Sequence, residues 1–410
     1  AALLTEVAID TMAVALQGAV DYRLGGLRGA PKFPLPTVYE FLLAHHFHAG
    51  DAKSLSAVET TLDAMASGGI YDQLGGGFSR YSTDERWLVP HFEKMLYDNA
   101  QLISLYAHAY QATGKKRYAE VVEQSLGFLA AELKEGEAFI SSLDADTEGE
   151  EGLTYVWTAA EIEKVLHDAQ LAQAFNACYG VTAAGNWEGH NILHLTTADV
   201  QMAARHGYSS IAELDEALAG AKKKLLAVRN ERPQPARDDK ILMAWNALTV
   251  TAYADAYRAL GDAAYRRQAE ETARFLWSEM RHESGSLYRS YKDGTAAINA
   301  FLDDYALLAQ ACIDVYEITF AEIWLERAQL LVGYVDQHFY AEDKGLYRYT
   351  SDQDPPLISG TLPVEDKAIP SGNSLMARVL HQLGVLTADD EMVVRSQVAG
   401  AIQTEARRWV

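Results

Sequence analysis

The sequence predicts an all-α fold, a single (α/α)6 toroid in which six helical hairpins form a ring and short β hairpins decorate one face. Three observations lead there. Long stretches carry apolar residues at the helical period of 3.6. Each of these stretches breaks once, at or near a glycine, and resumes as a second helix. Each hairpin is then followed by a glycine turn and a short aromatic segment, which favours a brief strand. A unit repeated along the chain implies stacked hairpins sharing one core.

The hairpins follow in order. The first is "YEFLLAHHFHAGDAKSLSAVETTLDAMA", broken at Gly50, and the second is "FEKMLYDNAQLISLYAHAYQATG", ending at Gly114. "ILMAWNALTVTAYADAYRALGDAAYRRQAEETARFLWSEM" breaks at Gly261. "YALLAQACIDVYEITFAEIWLERAQLLVGYVDQHF" breaks near Thr319, and "SLMARVLHQLGVLTADDEMVVRSQVAGAIQ" at Gly384. Met243 to Tyr257 is apolar nearly all round, as an inner helix of a ring requires. The long interval between Gly114 and Gly261 holds an insertion near residues 138–200 within the single domain 1–410. The segments "GGGFSRYS", "GEAFISS", "SGSLYRSY" and "KGLYRYTS" supply the strands. Loops after every second helix emerge at one end of a toroid. Arg80–His91, Asp144–Glu151, Asp293–Asp304 and Val364–Ser374 are therefore expected to converge on one mouth, the kind of concavity where ligands bind.

Composition narrows the function classes. Apolar residues make up 49% and charged residues 22% of 410, the profile of a globular protein. A net charge of −22 argues against nucleic acid or an anionic membrane as partner. No apolar run approaches the roughly 18–20 residues of a membrane span. The start carries Glu6 and Asp10, lacks a basic region and an initiator Met, and begins inside a helical pattern. It reads as part of a longer protein rather than as a signal peptide. Cys178 and Cys312 have no metal or redox spacing and are expected to be free thiols in a reducing, cytoplasmic setting. No metal or cofactor motif stands out. "DADTEGEEG" begins like a calcium loop, but Tyr155 falls where the bidentate Glu belongs. The triglycine Gly75–Gly77 precedes an aromatic segment and no P-loop pattern follows, so turn glycines explain it better than a phosphate cradle.

Several motifs match a known family in order: "GGIYDQLGGGFSRYSTDERWLVPHFEKMLYDNAQL", "DADTEGEEGLTYVWTAAEI", "GNWEGHNILH", "RDDKILMAWNAL", "FLDDYALL" and "PSGNS". They resemble the thioredoxin-domain-containing family of YyaL-type and spermatogenesis-associated proteins, over about residues 30 to 375. That resemblance implies a helical toroid similar to N-acylglucosamine 2-epimerases and six-hairpin glycosidases. It also implies a carbohydrate ligand, an N-terminal thioredoxin-like domain absent from this chain, and family members that continue past Val410.

Candidate site residues follow. Pro90 suits a first helical turn, which places His91 at a helix N-terminus where the dipole favours the neutral imidazole of a general base. His91 and His190 form the expected acid/base pair of a sugar epimerase or isomerase, with Arg80 or Arg86 stabilising an enediolate oxygen. Arg86 and Trp87 are expected to grip the sugar, the Trp by stacking. Trp187, Glu188 and Asn191 form a candidate lid. Asp238, Asp239, Trp245 and Asn246 stand at an inner helix start, and Asn246, polar on an apolar helix, needs a partner. Asp304 with Asp303 opens the next inner helix, and Ser371 caps the helix that carries Asn373. The alternative is a glycoside hydrolase using two carboxylates from Asp84, Asp144, Asp146, Asp238 and Asp304. Asp239 is counted among the catalytic candidates too. A third reading is a non-enzymatic ligand-binding or scaffold toroid joined to a redox domain.

Overall fold

The computed structural model describes residues 5–196, 200–355 and 361–406. The helices in chain order are α1 (Glu6–Ala19), α2 (Pro36–Ala49), α3 (Ala52–Ser67), α4 (Leu96–Thr113), α5 (Lys116–Phe128), α6 (Ala159–Leu166), α7 (Ala169–Cys178), α8 (Val200–Arg205), α9 (Ile211–Asn230), α10 (Met243–Leu260), α11 (Ala263–Glu279), α12 (Leu302–Thr319), α13 (Glu322–His338), α14 (Gly372–Thr387) and α15 (Asp390–Ala406). Helices α2, α4, α10, α12 and α14 pack side by side as the inner ring. Each is followed by its antiparallel outer partner α3, α5, α11, α13 or α15, and α1 packs on α2 and α3. The architecture is the all-α toroid with short strand hairpins that the sequence predicts.

The inner helices end alike. The residue after each adopts a left-handed backbone: Gly50, Gly114, Gly261, Phe320 and Ala388. This conformation lets the cap N–H reach back to a carbonyl of the last turn and stop the helix. An Asp then restarts the chain at Asp51 and Asp262, each accepting backbone N–H bonds as the N-cap of an outer helix. The expected break at Gly384 is a difference. That glycine lies inside α14, packed against Asp389, Met392 and Val393, and the turn falls four residues later. Counting back from the five caps aligns the helices. His108, Asp255 and Asp314 then share one level, and Ser104, Thr251 and Gln310 share the level one turn above.

The strands lie at the opposite, N-terminal end of the inner helices. They are β1 (Tyr81–Ser82), β2 (Pro90–His91), β3 (Lys94–Met95), β4 (Lys134–Glu135), β5 (Ala138–Phe139), β6 (Ser142–Leu143), β7 (Asp146–Thr147), β8 (Glu150–Glu151), β9 (Arg237–Asp238), β10 (Ile241–Leu242), β11 (Tyr288–Lys292), β12 (Thr295–Asn299), β13 (Tyr340–Ala341) and β14 (Leu346–Tyr347). The sheet β3–β6–β9 stitches three separate loops together, with Met95 opposite Ser142 and Ser142 opposite Asp238. Strands β3 and β10 run straight into α4 and α10, so their end residues Met95 and Leu242 are the helix caps.

A recurring asparagine clip fixes these strands to the ring. Asn246 accepts the N–H of Phe139 and donates to its carbonyl, at 2.8 and 2.9 Å. Asn99 does the same for Phe78 and Asn373 for Tyr347. All three asparagines are fully buried. Each satisfies one N–H and one C=O that strands this short leave unpaired.

Residues 157–225 build a second apolar core around Trp157, Phe175, Leu218 and Leu225. It is bolted to the ring by a buried ion triad. Asp72 of the glycine-rich loop accepts Lys94 and Arg229, both at 2.8 Å. These two cations hold the Asp72 carboxyl far below the usual carboxylate range against the opposing effect of burial. The neighbouring glycines permit the approach. A Cβ on Gly77 would stand 2.4 Å from the Phe128 ring, and both Gly76 and Gly77 have positive φ.

Candidate functional site at the mouth of the ring

Asp84 builds the turn that leads to the mouth. Its oxygens accept the N–H groups of Arg86, Leu88 and Val89. This consumes the carboxylate, so Asp84 is a turn organiser and not a free acid or base. The same turn forces Trp87 to φ +62° and drives its ring into the core, fully buried beneath Lys32 and against Gly26. Trp87 therefore offers no stacking platform, and Arg86 is left exposed on the turn.

The chain then returns as β2, with His91 opposite Tyr81. His91 is thus on a strand, five residues before α4, and not at a helix N-terminus. The competing influence is the Tyr81–Ser82 edge, which accommodates Pro90 as readily as a helix start does. The ring of His91 stacks on Tyr81 at 5.0 Å. Its Nδ1 lies 2.7 Å from Glu151 Oε1, and its Nε2 lies 3.9 Å from Glu93. Glu93 also accepts from Arg80 at 3.0 Å.

One turn into α4 stand two residues that sequence reasoning passed over. Asp98 is 7% exposed, and its Oδ2 has no hydrogen-bond partner. Burial raises its pKa well above the usual carboxylate range, with Arg80 opposing and Glu93 reinforcing the shift. Tyr97 beside it packs edge-to-face on half-buried Trp245 at 4.8 Å, and burial lifts its phenol to about 12. Arg80, His91, Glu93, Tyr97, Asp98 and Trp245 thus gather at one end of α4 and α10. The available signal was an acid in the first turn of a helix of the inner ring.

Across the sheet β3–β6–β9, Glu93 opens onto a cleft of about 530 Å3 that also touches Ser142, Asp144, Asp238, Asp239 and Lys292. Asp144 accepts its neighbours' N–H groups. Asp238 pairs with Lys240 at 3.1 Å and Asp239 with Lys292 at 2.6 Å. At the start of α12, Asp304 is fully buried and accepts from Ala244 N, Phe301 N and Arg289. Burial, then the adjacent Asp303, pushes its pKa to about 7, and burial raises Asp303 as well. Both Asp304 oxygens are occupied as acceptors, whereas Asp303 Oδ1 has no partner. Asp303 is therefore the member of the pair with an oxygen to offer.

No family model matches the chain. Human spermatogenesis-associated protein 20 is 34% identical over 411 residues, spanning 90% of this chain and 52% of that protein. The mouse protein of the same name is 33% identical over 91% of the chain. The chain is similar to spermatogenesis-associated protein 20 over nearly its whole length. It spans about half the length of the curated relatives it matches. Among solved structures, a D-mannose isomerase superposes with a TM-score of 0.63 at 10% identity, covering 97% of this chain and 86% of that one. The cellobiose 2-epimerase of Bacillus thermoamylovorans gives 0.62 at 9% identity, with 97% and 87% covered. A GH76 α-mannanase of Bacteroides thetaiotaomicron gives 0.51 at 12%, with 97% and 82% covered. At such identities the likeness shows the toroid fold.

Several other expected site residues have structural partners. His190 lies exposed on a tight hairpin with Trp187, next to exposed Glu188. Trp187 packs on Phe92 at 5.6 Å. No hydrogen bond, ion pair or ring contact among the described residues joins His91 to His190. Asn191 is buried and bonds Thr182 and Trp157. Asn246 and Asn373 are the clips described above, not ligand groups. Both cysteines are buried and neither forms a disulfide. Among the described residues, no helix is long and apolar enough to cross a membrane.

Proposed function

We propose that the mouth binds a carbohydrate and moves a proton on it, as a sugar isomerase or epimerase does. The observation that carries this reading is Asp98, a buried carboxyl with a raised pKa and an unpartnered oxygen, sharing Arg80 and Glu93 as neighbours with an imidazole already oriented. Glu151 holds His91 by Nδ1, which leaves Nε2 as the atom to accept a proton from the carbon beside a carbonyl. Arg80 offsets the negative charge that develops on the enediolate oxygen. Asp98 holds a proton for return to the carbon skeleton, replacing His190 in the paired scheme. Trp245 and Tyr97 supply apolar surface for a pyranose ring. The D-mannose isomerase and cellobiose 2-epimerase folds lend support to this substrate class.

A hydrolytic reading draws on Asp303, whose free Oδ1 beside Arg289 suits a general acid. One experiment separates the readings. The protein is incubated in D2O with a panel of reducing sugars and of glycosides, and C2–H exchange and glycoside cleavage are followed by NMR. Proton transfer predicts exchange abolished by His91→Ala and by Asp98→Asn. Cleavage without exchange, lost in Asp303→Asn, sinks the isomerase reading. Sugar binding with neither reaction makes the toroid a binding module.

A further inference from the structure

The face opposite the mouth, where inner helices end and outer helices begin, carries a different pattern. Three of the five inner helices close with glycine in the left-handed conformation, and α12 closes with Phe320 at φ +57°. A bulky residue is disfavoured there. Burial offers no compensation, because Phe320 is 77% exposed. Ile323 at the start of α13, and Val385 and Leu386 at the end of α14, are exposed as well. Helices α12 and α14 are ring neighbours, so the two turns lie together. The turns are also rich in carboxylates. Residues 317–326 and 384–391 contain Glu322, Glu326, Asp389, Asp390 and Glu391, besides Glu317, which Arg258 of α10 already pairs.

We infer that this patch docks a basic amphipathic polypeptide segment. Its apolar side chains would cover Phe320, Ile323, Val385 and Leu386, and its Lys or Arg side chains would meet the surrounding carboxylates. Exposed apolar residues ringed by polar ones mark interaction surfaces, and carboxylates dominate the rim here. A second copy of the chain is the poorer occupant. It would set the same carboxylates against their like, on molecules that each carry −22.

The test uses fluorescence anisotropy with the whole chain and a labelled helical peptide of leucine and lysine, about 18 residues long. The expected result is saturable binding that weakens with salt. Phe320→Gly weakens it about tenfold or more without lowering the unfolding temperature, since glycine accepts the left-handed backbone. Val14→Ser, an exposed apolar site on α1, leaves binding unchanged. Equal binding by wild type and Phe320→Gly overturns the inference, as does equal affinity for a leucine–glutamate peptide. A dimer in sedimentation that dissociates on Phe320→Gly makes a second copy the occupant and overturns it too. Should Phe320→Gly lower the unfolding temperature, Val385→Ser decides by the same criterion.

Discussion

The two ends of the inner helices treat charge in opposite ways. Towards their C-termini, carboxylates and cations answer one another around the ring axis. His108 of α4 stands with Nδ1 2.9 Å from Glu40 of α2 and Nε2 3.4 Å from Asp255 of α10. Arg258 of α10 reaches Asp255 and, on α12, Glu317, both at 2.7 Å, and Asp314 at 3.5 Å. Thr251 and Gln310 donate to the two Asp314 oxygens. At the mouth, Asp98 and Asp303 each keep an oxygen with no partner. A buried polar atom without a partner costs stability; at the axis that cost falls on the neutral amide oxygen of Gln310, whereas at the mouth it falls on two carboxyls. The contrast assigns the axis to structure and the mouth to a ligand.

The comparison breaks first at Arg258. Replacing it with Met leaves Asp314 and Glu317 without their cation and Asp255 with His108 alone, and a broken buried pair costs about 3–5 kcal/mol. Urea unfolding should show that loss, and a change under about 1 kcal/mol would mean that the axis is solvated like a surface pair. A smaller effect is expected at the clips. Asn246→Ala strands the N–H and C=O of Phe139 and should cost about 2–3 kcal/mol, with proteolysis appearing first in residues 134–143. If cleavage stays where wild type is cut, the clip does not hold the mouth strands.

The smallest effect is a pH dependence. Both ring nitrogens of His108 face carboxylates, which only accept, so both bonds require the imidazolium. Asp255 and then Glu40 raise its pKa well above the ordinary value, against the opposing effect of burial. A raised folded value means that its contribution is complete below the unfolded pKa, about 6.5, and is lost as pH rises through the folded value. Stability measured on the alkaline side should therefore fall in wild type and level off in His108→Gln. Parallel alkaline slopes for the two proteins would show that His108 is not charged in the fold.

Much of the ring was legible because it depends on local patterns. The period-3.6 stretches, the glycine breaks and the aromatic segments after each hairpin are all found where expected. The exception at Gly384 arose because Ala388 takes the left-handed cap without glycine's signature. The candidate site was read less well, for a physical reason. Residue type shows which side chains can do chemistry, whereas partner geometry decides which are free to do it. Asp84, Asn191, Asn246 and Asn373 were candidates for the site and are spent on backbone groups. Trp87 looked like a stacking surface and is core, because a turn residue with positive φ turned it inward. Asn246 was correctly expected to need a partner, yet Phe139 lies 107 residues away. Asp98 sat inside "MLYDN" and resembled an ordinary first-turn acid until its missing partner was visible.

The central claim, that the mouth holds an acid with one oxygen left free for a ligand, is tested most directly by a carboxyl 13C NMR titration of Asp98, assigned through Asp98→Asn. The account predicts a midpoint well above the ordinary aspartate value of about 3.9, moved further when a bound sugar accepts its proton, and an Asn variant no less stable than wild type at neutral pH. A midpoint at the ordinary value, indifferent to sugar, would contradict it.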